Sequence, residues 1–242
     1  MSYRIVLFDL DHTLLDSDAS LVGAFERTMT SVGVERPADL YGDFDRINQA
    51  LWRRVEAHEI SPNDVRVRRF EELNAELGIE ADAESMADVF VDGLVECGEL
   101  FDGARELLAD LRGEHRLALV TNGIGRVQRG RLARLGLDDT FEAVVISGEV
   151  GTSKPGVEIF RLAFDQLGLD LDDEGVRADS VMIGDNPGSD IAGGRAAGID
   201  TILFDPADLA VATPTGPDGS MTATHRVRTF DEIALLVRGS SG

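Results

Sequence analysis

The sequence predicts an α/β protein with a doubly wound, mostly parallel sheet that carries an inserted helical domain. Three observations predict this class. Short apolar runs alternate with helical patterns along most of the chain, which is typical of parallel strands covered by helices on both faces. One long interval after the first apolar run contains helical patterns alone. Several of the apolar runs end abruptly in polar residues, as strands do at a binding edge.

The apolar runs are interpreted as buried strands. The first covers 3–8 (YRIVLF) and stops at Asp9. Further strands are predicted at 116–120, 143–146, 181–183 and 201–204, with a possible edge strand at 225–229. Helices are predicted at 103–112, 126–136, 155–168, 189–198 and 230–238. Right-handed crossovers would place these helices on both faces of the sheet.

The interval from 15 to 100 has apolar residues at three- and four-residue spacing, as in Leu21, Phe25 and Met29, and no convincing strand. It is far longer than an ordinary crossover. We therefore expect a helical cap domain at 15–100, inserted into a core formed by 1–14 and 101–242. A segment rich in Pro, Gly and Thr at 205–224 is interpreted as a mobile surface loop.

The composition excludes several classes of partner and of binding site. The 242 residues include 23 Lys and Arg against 45 Asp and Glu, a formal net charge of −22, so nucleic acid and anionic membranes are not expected as partners. Cys97 is the only cysteine, which excludes an internal disulfide and a four-cysteine zinc site. The sequence has neither a signal-peptide pattern nor an apolar run that could span a bilayer, and a cytoplasmic monomer or homodimer is expected.

The basic residues are almost all arginine, because the chain has a single lysine, Lys154. An acidic surface that is nearly free of lysine is typical of halophilic proteins, whose charges are screened in molar salt over a Debye length of about 3 Å. The alternative explanation is a GC-rich genome, whose codons favour Arg over Lys, together with an acidic surface that arose by drift. The arginines Arg66, Arg68 and Arg69 are expected on a solvated, salt-bridged helix face, with contact to an anionic substrate as the alternative.

Polar side chains follow several of the predicted strands. They are Asp9, Asp11 and Thr13 after the first strand, Thr121 and Asn122 after the second, Lys154 before a helix, and Asp185 and Asp190 after the fourth. Because the carboxyl ends of parallel strands meet at one edge of a sheet, these side chains should converge in one crevice. Clustered carboxylates need a cation, and an all-oxygen site that also binds phosphate suits Mg²⁺.

The chemistry of these residues suggests phosphoryl transfer. Asp9 could serve as metal ligand and nucleophile, while Lys154 neutralises its charge and holds the transferring group. Asp11 could donate and accept a proton. The Thr121 hydroxyl and the Asn122 backbone N–H could bind phosphate oxygens.

Four segments, FDLDHT, VTNG, SKPG and GDNPGSD, resemble in this order the four motifs of the haloacid dehalogenase superfamily of hydrolases. The resemblance covers essentially the whole chain and implies a Rossmann-like core with a helical cap. It implies that Asp9 forms an aspartyl intermediate and that Asp11 is the general acid and base, with its backbone carbonyl on Mg²⁺. Asp185 would complete the protein ligands. Asp190 would either support the metal ligands without touching the ion or orient Lys154, and Thr13 would support the ligands in the same way.

The expected function is Mg²⁺-dependent hydrolysis of a small-metabolite phosphomonoester through an aspartyl-phosphate. The motifs resemble those of pyrimidine-nucleotidase-like and phosphoglycolate-phosphatase-like members, so a nucleotide, phosphoglycolate or a sugar phosphate is the expected substrate. A 2-haloacid dehalogenase is an alternative that Asp11 disfavours, because those enzymes lack an acid there. A phosphomutase and a non-catalytic regulatory protein on the same fold also remain open, although the latter should have lost Asp9, Asp11, Lys154 or Asp185.

The net charge leads to a prediction about salt. We expect the thermal midpoint to rise as KCl increases from about 0.1 M toward molar levels, because screening reduces carboxylate repulsion. Thermal denaturation at constant Mg²⁺ measures this separately from metal binding. A midpoint that stays flat or falls would contradict salt adaptation.

Overall fold

The computed structural model describes residues 2–206 and 222–239. Its sheet has six strands in the order β3-β2-β1-β4-β5-β6, and every neighbouring pair is parallel. The strands are β1 (Ile5–Phe8), β2 (Arg116–Thr121), β3 (Ala143–Ile146), β4 (Ser180–Gly184), β5 (Asp200–Phe204) and β6 (His225–Val227). The predicted α/β class and the predicted strands are confirmed, the edge strand being shorter than expected.

The central strand β1 determines where the polar residues meet. It lies between β2 and β4, with Phe8 in register with Leu119 on one side and Ile183 on the other. The strand order reverses at this point, which is where open α/β sheets bind ligands. Asp9, at the end of β1, therefore stands at the switch point of the sheet.

The core helices cover both faces of the sheet. They are α5 (Ala104–Leu111), α6 (Gly125–Leu135), α7 (Ser147–Val150), α8 (Val157–Gln166), α9 (Glu174–Ala178), α10 (Ala192–Ala196) and α11 (Phe230–Arg238). Because side chains alternate along a strand, Val6 and Phe8 pack with α5, α6 and α11, while Ile5 and Leu7 pack with α8 on the other face. The short helices α7 and α9 were not predicted.

The predicted helix at 189–198 is wrong over its first three residues, 189–191. One turn of π-helix occupies Pro187–Ile191 and only then does α10 begin. The Asn186 side chain accepts hydrogen bonds from the N–H groups of Gly188 and Ser189. It therefore caps the π-helical turn, which begins at Pro187, before the predicted start of the helix. This turn carries Asp190 toward the sheet.

The interval between β1 and α5 is helical, as predicted. It contains α1 (Ser17–Ser31), a 3₁₀ turn (Pro37–Leu40), α2 (Tyr41–Glu56), α3 (Pro62–Leu77) and α4 (Ala83–Glu96). These helices, called the helical insert below, surround their own aromatic cluster. Its phenylalanine rings include Phe25 and Phe44, whose centroids lie 4.6 Å apart, and Phe44 and Phe90, at 5.3 Å.

The insert packs on the core through α4 and α6. At Gly130 of α6 a Cβ atom would lie 2.8 Å from the Val95 side chain, so glycine permits the close approach. The chain crosses from the core into the insert near Leu14 and returns near Phe101. These two crossings lie side by side, because the Phe101 N–H donates to the Leu14 carbonyl at 2.9 Å. The division into separate domains at these crossings stays a prediction.

Two further predictions concern the loop at 205–224 and membrane-spanning helices. The segment 207–221 of the predicted loop at 205–224 lies outside the described residues. In residues 2–206 and 222–239, none of the helices combines the length and the apolar character needed to cross a bilayer.

Candidate active site

Three carboxylates meet at the carboxyl edge of the sheet. Asp9 follows β1, Asp185 follows β4, and Asp190 lies in the π-helical turn. One oxygen of each lies within 4.8 Å of the others. The predicted convergence of these aspartates is therefore present in the structure.

The single lysine lies among these carboxylates. Lys154 is 1% exposed, and its Nζ lies 2.7 Å from Asp9 Oδ1 and 2.6 Å from Asp190 Oδ1. Asn122 holds the lysine backbone: its Nδ2 donates to the Lys154 carbonyl, and its Oδ1 accepts from the Lys154 N–H, both at 2.9 Å. The Asn122 side chain thus positions the lysine, and the predicted phosphate contact of its backbone N–H stays a prediction.

The residues behind the cluster hold Asp190 and Asp185 in place. Asp190 Oδ2 accepts from the Asn186 N–H at 3.0 Å and lies so close to Gly184 that a Cβ there would be 2.2 Å away. The last residue of β4 must therefore be glycine. The buried Thr13 donates from Oγ1 to Asp185 Oδ1 at 3.3 Å, consistent with its predicted place behind the site.

The cluster contains more negative charge than Lys154 balances. Burial raises the pKa of Asp9 to about 7, although Lys154 opposes this, and the neighbouring carboxylates of Asp190 and Asp11 raise it further. Burial likewise raises the pKa of Asp185, with Asp190 and Asp9 adding to the effect. Both shifts have the sign expected of carboxylates that lack a counter-charge.

Asp11 is held by a different set of side chains. Its Oδ1 accepts from Arg131 Nη1 at 2.7 Å and from Ser17 Oγ at 2.5 Å, and its Oδ2 accepts from Gln128 Nε2 at 2.6 Å. Burial acts to raise the pKa of Asp11, but Arg131 and the two hydrogen bonds outweigh it and the pKa is lowered. Gln128 Nε2 also donates to the buried Thr121 hydroxyl at 3.1 Å, and the predicted phosphate contact of Thr121 stays a prediction.

Sequence reasoning missed Arg131, Gln128 and Ser17. Gln128 and Arg131 are three residues apart on α6, a spacing that places both on the face toward Asp11. That spacing after the VTNG segment is the one signal in the sequence. Arginine is so common in this chain that Arg131 did not stand out as Lys154 did.

A cavity of about 400 Å³ opens above Asp9. The core side of its wall includes Asp9, Asp11, Lys154 and Asp185. The insert side includes one polar face of α2, made of Asp45, Asn48, Gln49, Trp52, Arg53 and Glu56. Glu56 Oε1 accepts from Asn186 Nδ2 at 3.1 Å and so joins the insert to the loop that carries the aspartates.

The donor set suits a hard divalent cation. Carboxylate oxygens within a few ångströms of one another are the ligands that Mg²⁺ prefers, and here burial and then the neighbouring carboxylates raise the pKa values of Asp9 and Asp185. The group overlaps the predicted metal set at Asp9 and Asp185. The Asp11 carboxylate instead faces Arg131, so its predicted metal contact through the backbone carbonyl stays a prediction.

Comparison with known proteins assigns the family. Residues 3–198 match the family model of haloacid dehalogenase-like hydrolases. The chain belongs to this family. The resemblance of the four motifs is thereby confirmed for this haloacid dehalogenase-like hydrolase.

Relatives of this hydrolase match it almost end to end. The pyrimidine 5'-nucleotidase PynA of Streptococcus pneumoniae is 37% identical, over 96% of this chain and 94% of its own. The pyrimidine 5'-nucleotidase YjjG of Escherichia coli is 33% identical, over 94% and 97%. The magnesium-bound structure of the HAD-hydrolase YfnB from Bacillus subtilis superposes with a TM-score of 0.83 at 30% identity, covering 99% of this chain and all of that one.

Asn122 provides a test of how the lysine is held. Asn122→Ala removes both hydrogen bonds to the Lys154 backbone, so the free energy of unfolding should fall by about 1–3 kcal/mol. Displacement of Lys154 from Asp9 should also lower kcat roughly tenfold or more.

Asn63→Ala is the matched control, because Asn63 also donates to one backbone carbonyl, that of Gly148, but lies outside the carboxylate cluster. Its kcat should match the wild type. Thermal denaturation and steady-state kinetics measure both variants, and wild-type kcat in Asn122→Ala would contradict the assigned position of the lysine.

Proposed function

We propose that this chain is a Mg²⁺-dependent phosphatase that hydrolyses pyrimidine 5'-mononucleotides through an aspartyl-phosphate on Asp9. That it is a hydrolase acting on phosphate monoesters follows from its family and its nucleotidase relatives. The observation that carries the proposal is the pair of Asp9 and Lys154 at 2.7 Å, set among carboxylates at the floor of a cavity. The names of PynA and YjjG support the pyrimidine nucleotide as substrate.

The first half-reaction falls to Asp9. Lys154 favours the ionised carboxylate and holds it at the end of β1, so that one of its oxygens can attack phosphorus in line. The new bond joins this oxygen to phosphorus, the ester bond breaks, and the leaving oxygen of the nucleoside takes up a proton. The ammonium group also lies where it can stabilise charge on the transferring phosphoryl group.

The second half-reaction falls to Asp11. Arg131, Ser17 and Gln128 keep its carboxylate ionised in this geometry, which suits it to accept a proton from the attacking water. That water then cleaves the aspartyl-phosphate and regenerates Asp9. Donation of a proton to the leaving oxygen in the first half requires Asp11 to be protonated and released from Arg131.

A divalent cation completes the charge balance. Asp9 and Asp185, whose pKa values are raised, would hold the ion beside Asp190. When bound, Mg²⁺ neutralises negative charge on the carboxylates and on the phosphate. Thr13 would keep Asp185 oriented toward it.

The helical insert would act as a cap at 15–100. Its helix α2 lines the cavity opposite Asp9 and contacts the core through Glu56 and Asn186. A cap in this place excludes water and contacts the leaving group. The presence of Asp9, Asp11, Lys154 and Asp185 in one site argues against a non-catalytic protein, and the named nucleotidase relatives favour a phosphatase over a dehalogenase or a phosphomutase.

The nucleophile is tested by Asp9→Asn. The amide is nearly isosteric but a poor nucleophile, so kcat should fall at least about a thousandfold, roughly 4 kcal/mol of activation free energy. Asp172→Asn, a surface aspartate paired with Arg161, is the control and should keep wild-type kcat. A kcat in Asp9→Asn above about a thousandth of wild type would remove Asp9 from this role.

The choice of substrate is tested on the wild type. A kcat/KM for uridine 5'-monophosphate (UMP) no higher than for AMP would contradict the pyrimidine assignment.

A further inference from the structure

A buried arginine of the insert forms no ion pair with an acidic residue in the described part of the chain. Arg69 on α3 is 1% exposed, and its Nε donates to the Val65 carbonyl at 3.0 Å. Its guanidinium lies 4.9 Å from the centre of the Phe90 ring. Among residues 2–206 and 222–239, no carboxylate forms an ion pair with it, although Arg66 on the same helix pairs with Glu84 and Asp88.

Arg69 lines the cavity above Asp9. Burial lowers the pKa of its guanidinium to about 9, which leaves the group charged at pH 7. An unpaired buried cation is costly, and four of its five N–H groups lack an acceptor within the described part of the chain. The expectation that Arg66, Arg68 and Arg69 share a solvated, salt-bridged face is therefore wrong for Arg69.

A buried acceptor without a partner lines the same cavity. Asn48 on α2 is 5% exposed, and within the described residues its Oδ1 is buried without a hydrogen-bond donor. Trp52, one turn further along α2, presents an aromatic side chain to the cavity. The insert side of the cavity therefore has an unused donor group, an unused acceptor and an aromatic ring.

We propose that Arg69 and Asn48 form a subsite that reads the hydrogen-bonding edge of the pyrimidine ring, with Trp52 against its face. This assignment rests on the proposed function. Arg69 donates to a ring carbonyl oxygen, and Asn48 Oδ1 accepts from a ring or exocyclic N–H. Both groups are then satisfied, as buried polar groups in proteins generally are.

An anionic group fits this subsite less well. A second phosphate or a carboxylate would satisfy Arg69 but would leave Asn48 Oδ1 without a donor. On the α2 side of the cavity the two carboxylates of Asp45 and Glu56 outnumber the one cation, Arg53, and would disfavour a second anion. A neutral ring with a carbonyl beside an N–H matches both the Arg69 donor and the Asn48 acceptor.

Uridine binding tests the subsite without catalysis. Trp52 is the only tryptophan of the chain, so its fluorescence reports on the cavity alone. We expect uridine to quench it saturably in the wild type. Arg69→Met, which keeps the apolar stem over Phe90, should raise the Kd by about tenfold to a hundredfold, the range for a hydrogen bond to a charged group. Arg66→Met is the matched control and should keep the wild-type Kd.

Kinetics test the same assignment with two substrates that differ only in the base. The ratio of kcat/KM for UMP to kcat/KM for ribose 5-phosphate should fall at least about tenfold in Arg69→Met, mainly through KM for UMP. Asn48→Leu should lower the same ratio, and it provides the result if Arg69→Met does not fold. Arg66→Met should leave the ratio at its wild-type value.

The outcomes separate this inference from the proposed function. A wild type that prefers UMP to ribose 5-phosphate, with variants that keep the ratio and the Kd for uridine, overturns the Arg69 and Asn48 subsite alone. A wild type that hydrolyses both substrates equally well overturns the pyrimidine assignment, and the subsite with it. A lowered ratio and a raised Kd in the Arg69 or Asn48 variants, with Arg66→Met unchanged, support the subsite.

Discussion

The buried ion pair between Asp9 and Lys154 is the constraint on which the rest of the site depends. Two charges removed from water are tolerated only with good geometry and further hydrogen bonds. The fold supplies both, because β1 ends at the switch point of the sheet and Asn122 holds the lysine backbone at two points. Gly184 completes the arrangement by leaving space for Asp190, the second carboxylate on the lysine.

The two aspartates of the first motif have opposite electrostatic environments although they are two residues apart. Asp9 lies among carboxylates that exceed the charge of Lys154, and its pKa is raised. Asp11 faces Arg131 and two hydrogen-bond donors, and its pKa is lowered. Divergence of this kind separates the roles of paired carboxylates in enzymes. In the proposed mechanism it separates the nucleophile Asp9, which lies where a cation would bind, from the base Asp11, which is ionised at rest.

The sequence was sufficient for the fold and for the residues at the strand ends. Strand signals are local, and Lys154 was conspicuous as the only lysine. The partners of Asp11 were missed because Arg131 is 120 positions away along the chain and only the packing of α6 brings it close. Arg69 was misplaced because three arginines within four positions resemble a solvated face, whereas α3 turns Arg66 outward and buries Arg69. The pattern shows the type of side chain, but which face is buried depends on tertiary packing.

When all three are ionised, the carboxylates of Asp9, Asp185 and Asp190 carry two more negative charges than Lys154 balances, and we propose that the cluster binds a divalent cation. Isothermal titration calorimetry with Mg²⁺, without substrate, measures this directly on the wild type and on Asp185→Asn, with Asp172→Asn as the surface control. We expect one ion per chain in the wild type and the control, and binding at least about tenfold weaker in Asp185→Asn. Absence of Mg²⁺ binding in the wild type, or equal affinity in Asp185→Asn, would contradict it.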